Sequence, residues 1–227
     1  TRRYGKTTAV DDVSFNIADN DIVGLLGHNG AGKSTIMRML SGYLEPSAGS
    51  IHIGGFDLAS QSHPLKQQLG YLPEGAPGYG EMAVEPFLRF CGKVRGMTGG
   101  DLNQAIEKAI ARTELAGVAR QDIDTLSKVF RRRVGLAQAI LHEPKVLILD
   151  EPTDGLDPNQ KQQVRNLIDE MSKDRAIIVS THILEEVDAV CSRAIIIDRG
   201  NIVADGTASE LKKLIPGRKK HTLEDVF

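Results

Sequence analysis

Residues 22–34 read Ile22-Val23-Gly24-Leu25-Leu26-Gly27-His28-Asn29-Gly30-Ala31-Gly32-Lys33-Ser34. The first five form an apolar run of strand length, and a helical pattern begins near Lys33 and runs to about Ser41. Between them lies a glycine-rich loop with the spacing G-x-x-x-x-G-K-S, a phosphate cradle. Glycines let the backbone fold tightly, so that successive N–H groups from Gly27, His28, Asn29, Gly30, Ala31 and Gly32 can converge on phosphate oxygens. The helix beginning near Lys33 adds the positive end of its dipole. Lys33 supplies a mobile cation, Ser34 a hydroxyl for a hard ion such as Mg²⁺, and Thr35 continues the same turn. A strand before and a helix after set this loop apart from a chance glycine-rich turn. The pattern alone does not separate an ATPase from a GTPase or a nucleotide kinase, but no Asn-Lys-x-Asp run, the guanine-specific pattern, is present.

A second stretch, Val146-Leu147-Ile148-Leu149-Asp150-Glu151, is an apolar run that ends in two acids. Continuous apolar runs of this length suit strands buried on both faces, and ligands of such sheets bind at the strands' C-terminal ends. Alone, the pair reads equally well as a strand end whose acids satisfy the N–H groups of a following helix. With the cradle upstream, Asp150 is assigned to Mg²⁺ and Glu151 to polarising an attacking water.

Working outward, short apolar runs alternate with helical patterns. Residues 10–17 alternate with period two and predict a half-buried strand; residues 51–53 and 69–72 predict two more. Helical patterns over 84–95, 101–115 and 131–141 follow, joined by loops rich in Pro and Gly. Strands return at 146–149, 176–180, 194–198 and 202–204, with helices at 158–173 and 183–189. Strands spaced by helices imply an α/β fold, a mainly parallel sheet flanked by helices. The expected organisation is one domain: a nucleotide-binding core from 1–73 and 143–227, with a helical subdomain inserted at 74–142.

A net charge of -2 excludes wholesale binding to nucleic acid. Lys212, Lys213, Arg218, Lys219 and Lys220 form a basic cluster, read as a solvated helix end rather than a membrane patch. Cys91 and Cys191 lie far apart in no ligand spacing, so both are expected to be reduced. No apolar run approaches the ~20 residues that span a bilayer. The chain begins at Thr1 rather than Met and stops at Phe227 in mid-pattern, so trimmed ends are expected.

With further motifs the chain resembles the nucleotide-binding domain of ABC transporters over nearly its whole length. Leu126-Ser127-Lys128-Val129-Phe130 stands where the family signature falls, Asp154-Gly155-Leu156-Asp157-Pro158 resembles the D-loop, and Ser180-Thr181-His182 the switch histidine. Tyr4 matches the aromatic that stacks on adenine. The resemblance implies a P-loop core with a small N-terminal antiparallel β region, and ATP with Mg²⁺ as ligands. It implies a second nucleotide-binding domain, identical or a close sibling, that sandwiches two ATP molecules head to tail. Ser127 would then reach the partner's γ-phosphate, Glu151 would be general base, His182 would contact γ-phosphate and water, and Asp157 would couple the sites.

The pattern is departed from at Glu74 and in the signature, where Lys128, a residue also found there in the exporter group, and Val129 stand in place of two glycines. Glu74 stands where the family usually has glutamine, and it can still offer an oxygen to Mg²⁺ or water. Val129 replaces a signature glycine, and a β-branched side chain there is expected to obstruct close approach to the partner's ATP and weaken hydrolysis. The stretches 71–77, 134–139 and 222–227 resemble domains of ABC-2 or drug-resistance exporters, which implies an integral-membrane permease as partner and a place on the cytoplasmic face of the membrane. Two other readings stay open: a soluble ABC ATPase acting on ribosomes or DNA, and a regulatory subunit that binds ATP but hydrolyses it poorly. The first lacks the tandem domains and coiled-coil inserts such proteins carry; the second is opposed by Glu151 and His182 and favoured by Val129.

Overall fold

A computed structural model describes residues 1–76 and 78–213, without the side chain of Lys212. The chain opens with strands β1 (Arg2–Tyr4), β2 (Thr7–Val10) and β3 (Ile22–Leu26), then helix α1 (Lys33–Leu40). Next come β4 (His52–Ile53), β5 (Phe56–Asp57), α2 (Ser62–Gln67) and β6 (Leu69–Leu72). Three helices follow, α3 (Val84–Val94), α4 (Gly99–Arg112) and α5 (Lys128–Ile140). Strand β7 (Val146–Asp150), α6 (Pro158–Ser172), β8 (Ala176–Thr181), α7 (Leu184–Val190), β9 (Arg193–Asp198), β10 (Asn201–Gly206) and α8 (Ala208–Lys213) complete the order.

Six strands form one sheet in the order β10-β9-β3-β8-β7-β6. All neighbours are parallel except β10, which pairs antiparallel with β9. The antiparallel pairs β1–β2 and β4–β5 supply the small N-terminal β region. Side-chain alternation divides the interior. Leu147, Leu149, Ile177 and Val179 face one core that continues into α3, α4, α5 and α6. Ile148, Ile178, Ile195 and Ile197 face a second core with Ile36 and Met37 of α1. The helices between β6 and β7 therefore share one continuous apolar core with the sheet rather than enclosing their own.

One predicted strand is corrected. Residues 10–17 contribute only Val10, the last residue of β2, and 11–17 carry no strand. Asp12 adopts a left-handed φ of 45°, which turns the chain out of the extended path. The alternation was real in burial: Val13, Phe15 and Ile17 are half-buried against the second core, but no partner strand bonds to them. Helix α5 begins three residues before the apolar periodicity suggests, because the Ser127 hydroxyl caps it by accepting from Phe130 N at 3.4 Å.

The expectation that Val129 obstructs a partner is also corrected. Its side chain is turned inward, 7% exposed, as part of the first core. Val129→Gly should therefore destabilise the fold by about 2–3 kcal/mol through lost burial and a poorer helix former, read as a lower urea midpoint. An unchanged midpoint would place the side chain outside the core.

Both cysteines are free, and burial pushes the thiol of Cys91 up to about 11 and that of Cys191 to about 12. Among the described residues no helix is long and apolar enough to cross a membrane. Pro77, Arg218, Lys219, Lys220 and the ending 222–227, each part of a sequence expectation, lie outside the described residues.

Candidate active site

Because β3, β6, β7 and β8 run parallel, their C-terminal ends lie on one edge. That edge carries the loop 27–32 after Leu26, Glu74 just beyond Leu72, Asp150 and Glu151 at the end of β7, and His182 after Thr181. The second strand runs directly over the loop. Gly32 has φ 111°, and a Cβ there would stand 2.8 Å from the Ala9 carbonyl oxygen, so both conformation and space require glycine. A Cβ on Gly27 would lie 2.5 Å from the Ile197 carbonyl oxygen.

Helix α1 starts from this loop with no side-chain cap and no acid in its first turn. The uncapped N–H groups of that turn, which includes Ser34 and Thr35, are thus available to an anion, and the dipole favours one. Lys33 is buried, and its ammonium donates to the carbonyls of Gly27 (2.6 Å) and His28 (3.3 Å). It also lies 3.7 Å from Glu151 Oε1. His28, Asn29 and Gly30 are exposed at the loop's tip, while Ala31 is buried beneath it.

The two acids are placed differently. Asp150 is 1% exposed, and the Ser180 hydroxyl donates to its Oδ1. Burial raises its carboxyl above the usual range and Glu74 adds to the rise; the Ser180 bond, Arg38 and Lys33 oppose it. Glu151 has φ 48°, a left-handed conformation uncommon outside glycine, in which its N–H donates to Ser180 Oγ at 3.0 Å. Such strain is concentrated at functional sites. His182 Nδ1 stands 3.1 and 3.2 Å from the two Glu151 oxygens. An ionised Glu151 only accepts, so Nδ1 is the donor in this contact. Burial raises Glu151 above the usual glutamate range, opposed by His182 and Lys33.

Lys33 and His182 thus both meet Glu151, and Asp150, the preceding residue, feels Lys33 and Glu74 electrostatically. Tyr4, Ser127 and Asp157 make their contacts elsewhere. Tyr4 is 48% exposed on β1, with the Arg2 guanidinium carbon 4.6 Å from its ring centroid. Ser127 is exposed at the start of α5, and Asp157 caps α6 in a full capping box with Gln160. Lys128 of the signature stretch lies across Gly155, where a Cβ would meet its Nζ.

Two partners of these acids have no assigned role in the sequence reading. Ser180 reaches Asp150 only because the parallel register pairs them, and no local signal reveals that. Arg132, 4% exposed on α5, has Asp154, Glu74, Glu151 and Asp150 as its charge neighbours; burial lowers its pKa and those acids oppose the shift. Its place in the helix, five residues after the capping Ser127, was the available hint.

A cleft of about 1030 Å³ opens beside the site. Its lining runs from Asp150 and Glu74 to Tyr43, Phe90 and Val94, which are 82%, 42% and 71% exposed.

Residues 10–154 match the family model described as ABC transporter, and an AAA-domain model also matches 124–188. The linearmycin resistance ATP-binding protein LnrL of Bacillus subtilis is 33% identical over 95% of this chain and 70% of its own length. The daunorubicin resistance ATP-binding protein DrrA3 of Streptomyces coeruleorubidus is 33% identical over 93% of this chain and 67% of its own. This chain spans only 37% of YbhF of Escherichia coli, at 37% identity. Among solved structures, an ATP binding subunit of an ABC transporter superposes with a TM-score of 0.87 at 29% identity, covering 99% of this chain and 94% of that one.

Proposed function

The chain belongs to the ABC transporter family as an ATP-binding, ATP-hydrolysing subunit, and from that membership we propose that it drives export through a separate ABC-2-type membrane permease. Two such subunits close around ATP and reopen after hydrolysis. In this reading the loop 27–32 with Lys33, Ser34 and Thr35 holds the phosphates, and Tyr4 stacks on adenine. Its exposed ring face suits a base, the Arg2 guanidinium covering the other.

Mg²⁺ fits Ser34, Asp150 and Glu74. Among the described residues no group of three or more His, Cys, Asp or Glu could hold a metal by itself. That suits an ion that takes one or two carboxylates and completes its shell with phosphate oxygens and water. When bound, it would neutralise charge on the phosphates. Glu151 takes the proton of the attacking water, and His182, held by its Nδ1 against Glu151, contacts the γ-phosphate and that water. Ser127 and Asp157, both exposed, serve the second subunit's site. Location at the cytoplasmic face of the membrane follows from the permease.

The observation that carries the transport reading is the cleft. Its lining joins buried Asp150 and exposed Glu74 to two exposed aromatic rings and an exposed valine, an apolar surface next to the nucleotide site that a partner segment could cover. A permease segment seated there would sense the state of the nucleotide site through Glu74. The names of LnrL and DrrA3, linearmycin and daunorubicin resistance proteins, favour export of a drug. Co-expression with a permease encoded beside this chain tests it. Val94→Asp and Tyr43→Asp should each lower co-purification about tenfold while the isolated chain still hydrolyses ATP. Undiminished co-purification of both variants would exclude the cleft, and no co-purification of the unaltered chain would favour a soluble ATPase.

A further inference from the structure

Glu186 of α7 takes no part in the hydrolytic step, yet its carboxylate is buried, with 6% of the residue exposed. Burying a carboxylate costs several kcal/mol unless it is paired, and a similarly sized apolar side chain would fill the same space without that penalty. What such a side chain lacks is a grip on its neighbours. Oε2 accepts from Thr181 Oγ1 at 2.8 Å. The same hydroxyl oxygen accepts from the backbone N–H of Ile183 at 3.1 Å, so its capacity as donor and acceptor is used in one chain of bonds. The Glu186 N–H donates to the Ile183 carbonyl at 3.2 Å. The Glu186 carboxylate thus holds Thr181 on one side of His182, and the Thr181 hydroxyl and the Glu186 N–H hold Ile183 on the other.

The other oxygen faces a different helix. Oε1 lies 3.1 Å from Lys161 Nζ on α6, a charge contact that lacks the alignment of a hydrogen bond. Lys161 stands in the first turn of α6, where its N–H donates to the Asp157 carbonyl at 2.9 Å. One buried carboxylate thus joins the start of the helix capped by Asp157 to the turn that presents His182.

We propose that Glu186 is a positioning residue: with Thr181 and Lys161 it holds His182 against Glu151 and ties that alignment to the helix beginning at Asp157. The inference rests on the reading of His182 as a catalytic group. It makes the geometry of one residue in the site depend on the segment that would meet the second subunit, by a short path of packed polar contacts rather than by distance alone.

Steady-state kinetics with Mg·ATP and the ring resonances of the histidines test this on four variants of the chain. Glu186→Gln keeps the shape and an acceptor for Thr181 but removes the charge; Thr181→Val keeps the shape and removes the hydroxyl; Lys161→Met removes the cation; His182→Ala is the reference. Glu186→Gln and Thr181→Val should lower kcat about tenfold with KM within about twofold, since a displaced catalytic group loses rate more than binding. Lys161→Met should lower kcat about threefold in the same manner. The His182 resonance should move in these variants while that of exposed His52 stays. Should Glu186→Gln fail to fold, Thr181→Val carries the comparison. Full kcat and an unmoved His182 resonance, with His182→Ala inactive, would overturn the proposal alone. A kcat that falls only in step with the folded fraction, again with an unmoved resonance, would overturn it as well. Full turnover in His182→Ala would remove instead the reading on which it rests.

Discussion

Glu151→Gln should lower ATP turnover about 10²–10⁴-fold while ATP still binds, because it removes the proton acceptor and leaves the phosphate cradle intact. An ATP-bound dimer should accumulate and be visible as a doubled mass in solution. The same substitution should raise the melting temperature of the nucleotide-free protein. Burial holds the Glu151 carboxyl above its usual range despite His182 and Lys33. The folded state therefore binds that proton more tightly than the unfolded state does. The stability gained from the protonated form is present below the unfolded pKa and is lost as pH rises through the folded one. At neutral pH the ionised carboxylate is a burden on the fold, and the neutral amide relieves it; each kcal/mol gained corresponds to about 2–4 °C in a chain of this size. The left-handed backbone at Glu151 would persist in the glutamine variant, so the gain comes from the charge alone. The raised pKa also sets the acid limb of kcat/KM above the usual glutamate range, since the base must be ionised to act, with Asp150 coupled to it. Normal turnover in Glu151→Gln would remove Glu151 as base, and an unchanged or lower melting temperature would contradict the burial argument.

What the sequence made legible follows from what is contiguous along the chain. The cradle could be read because its chemistry lies within eight consecutive residues, and Gly32 has the positive φ and the close backbone approach that such a loop requires. The buried strands could be read because a short apolar run closed by acids suits a strand that leaves the core at a polar edge; β7 carries it to Asp150. The bond between Ser180 and Asp150 could not, because it depends on a parallel register between strands 30 positions apart. Likewise the pattern at 11–17 gave the burial of Val13, Phe15 and Ile17 correctly but not their lack of a ladder partner, since periodicity reports which face is buried and not what lies beside it. Val129 shows the same limit. Its β-branched character was evident, but whether the side chain met a partner or its own core depended on the direction of α5, which the Ser127 cap sets. Short pieces such as β5 and α2 fell below the length at which a period can be recognised.

Lys33→Ala should weaken Mg·ATP binding by about 2–5 kcal/mol, roughly 30- to several thousand-fold in Kd, because a charge-assisted contact to the β- and γ-phosphates is lost from a buried position. The surroundings of Lys33 add to the effect. Its ammonium donates to the carbonyls of Gly27 and His28, so its removal leaves two loop oxygens without that donor at the place where negative phosphates must sit. It also stands 3.7 Å from Glu151, and losing that cation should push the Glu151 carboxyl still higher, lowering the ionised fraction available for hydrolysis. Turnover should therefore fall even at ATP concentrations that overcome the weakened binding, and the loss at saturation should shrink as pH is raised. The fold itself should survive, since the loop conformation is fixed independently by Gly32 against Ala9 and by Gly27 against Ile197. Titration of a fluorescent ATP analogue, with the melting temperature of the nucleotide-free variant alongside, separates the two contributions. Near-normal affinity in a folded Lys33→Ala variant would overturn the assignment of this loop as the phosphate cradle, and with it the geometry from which every other role at the site is drawn.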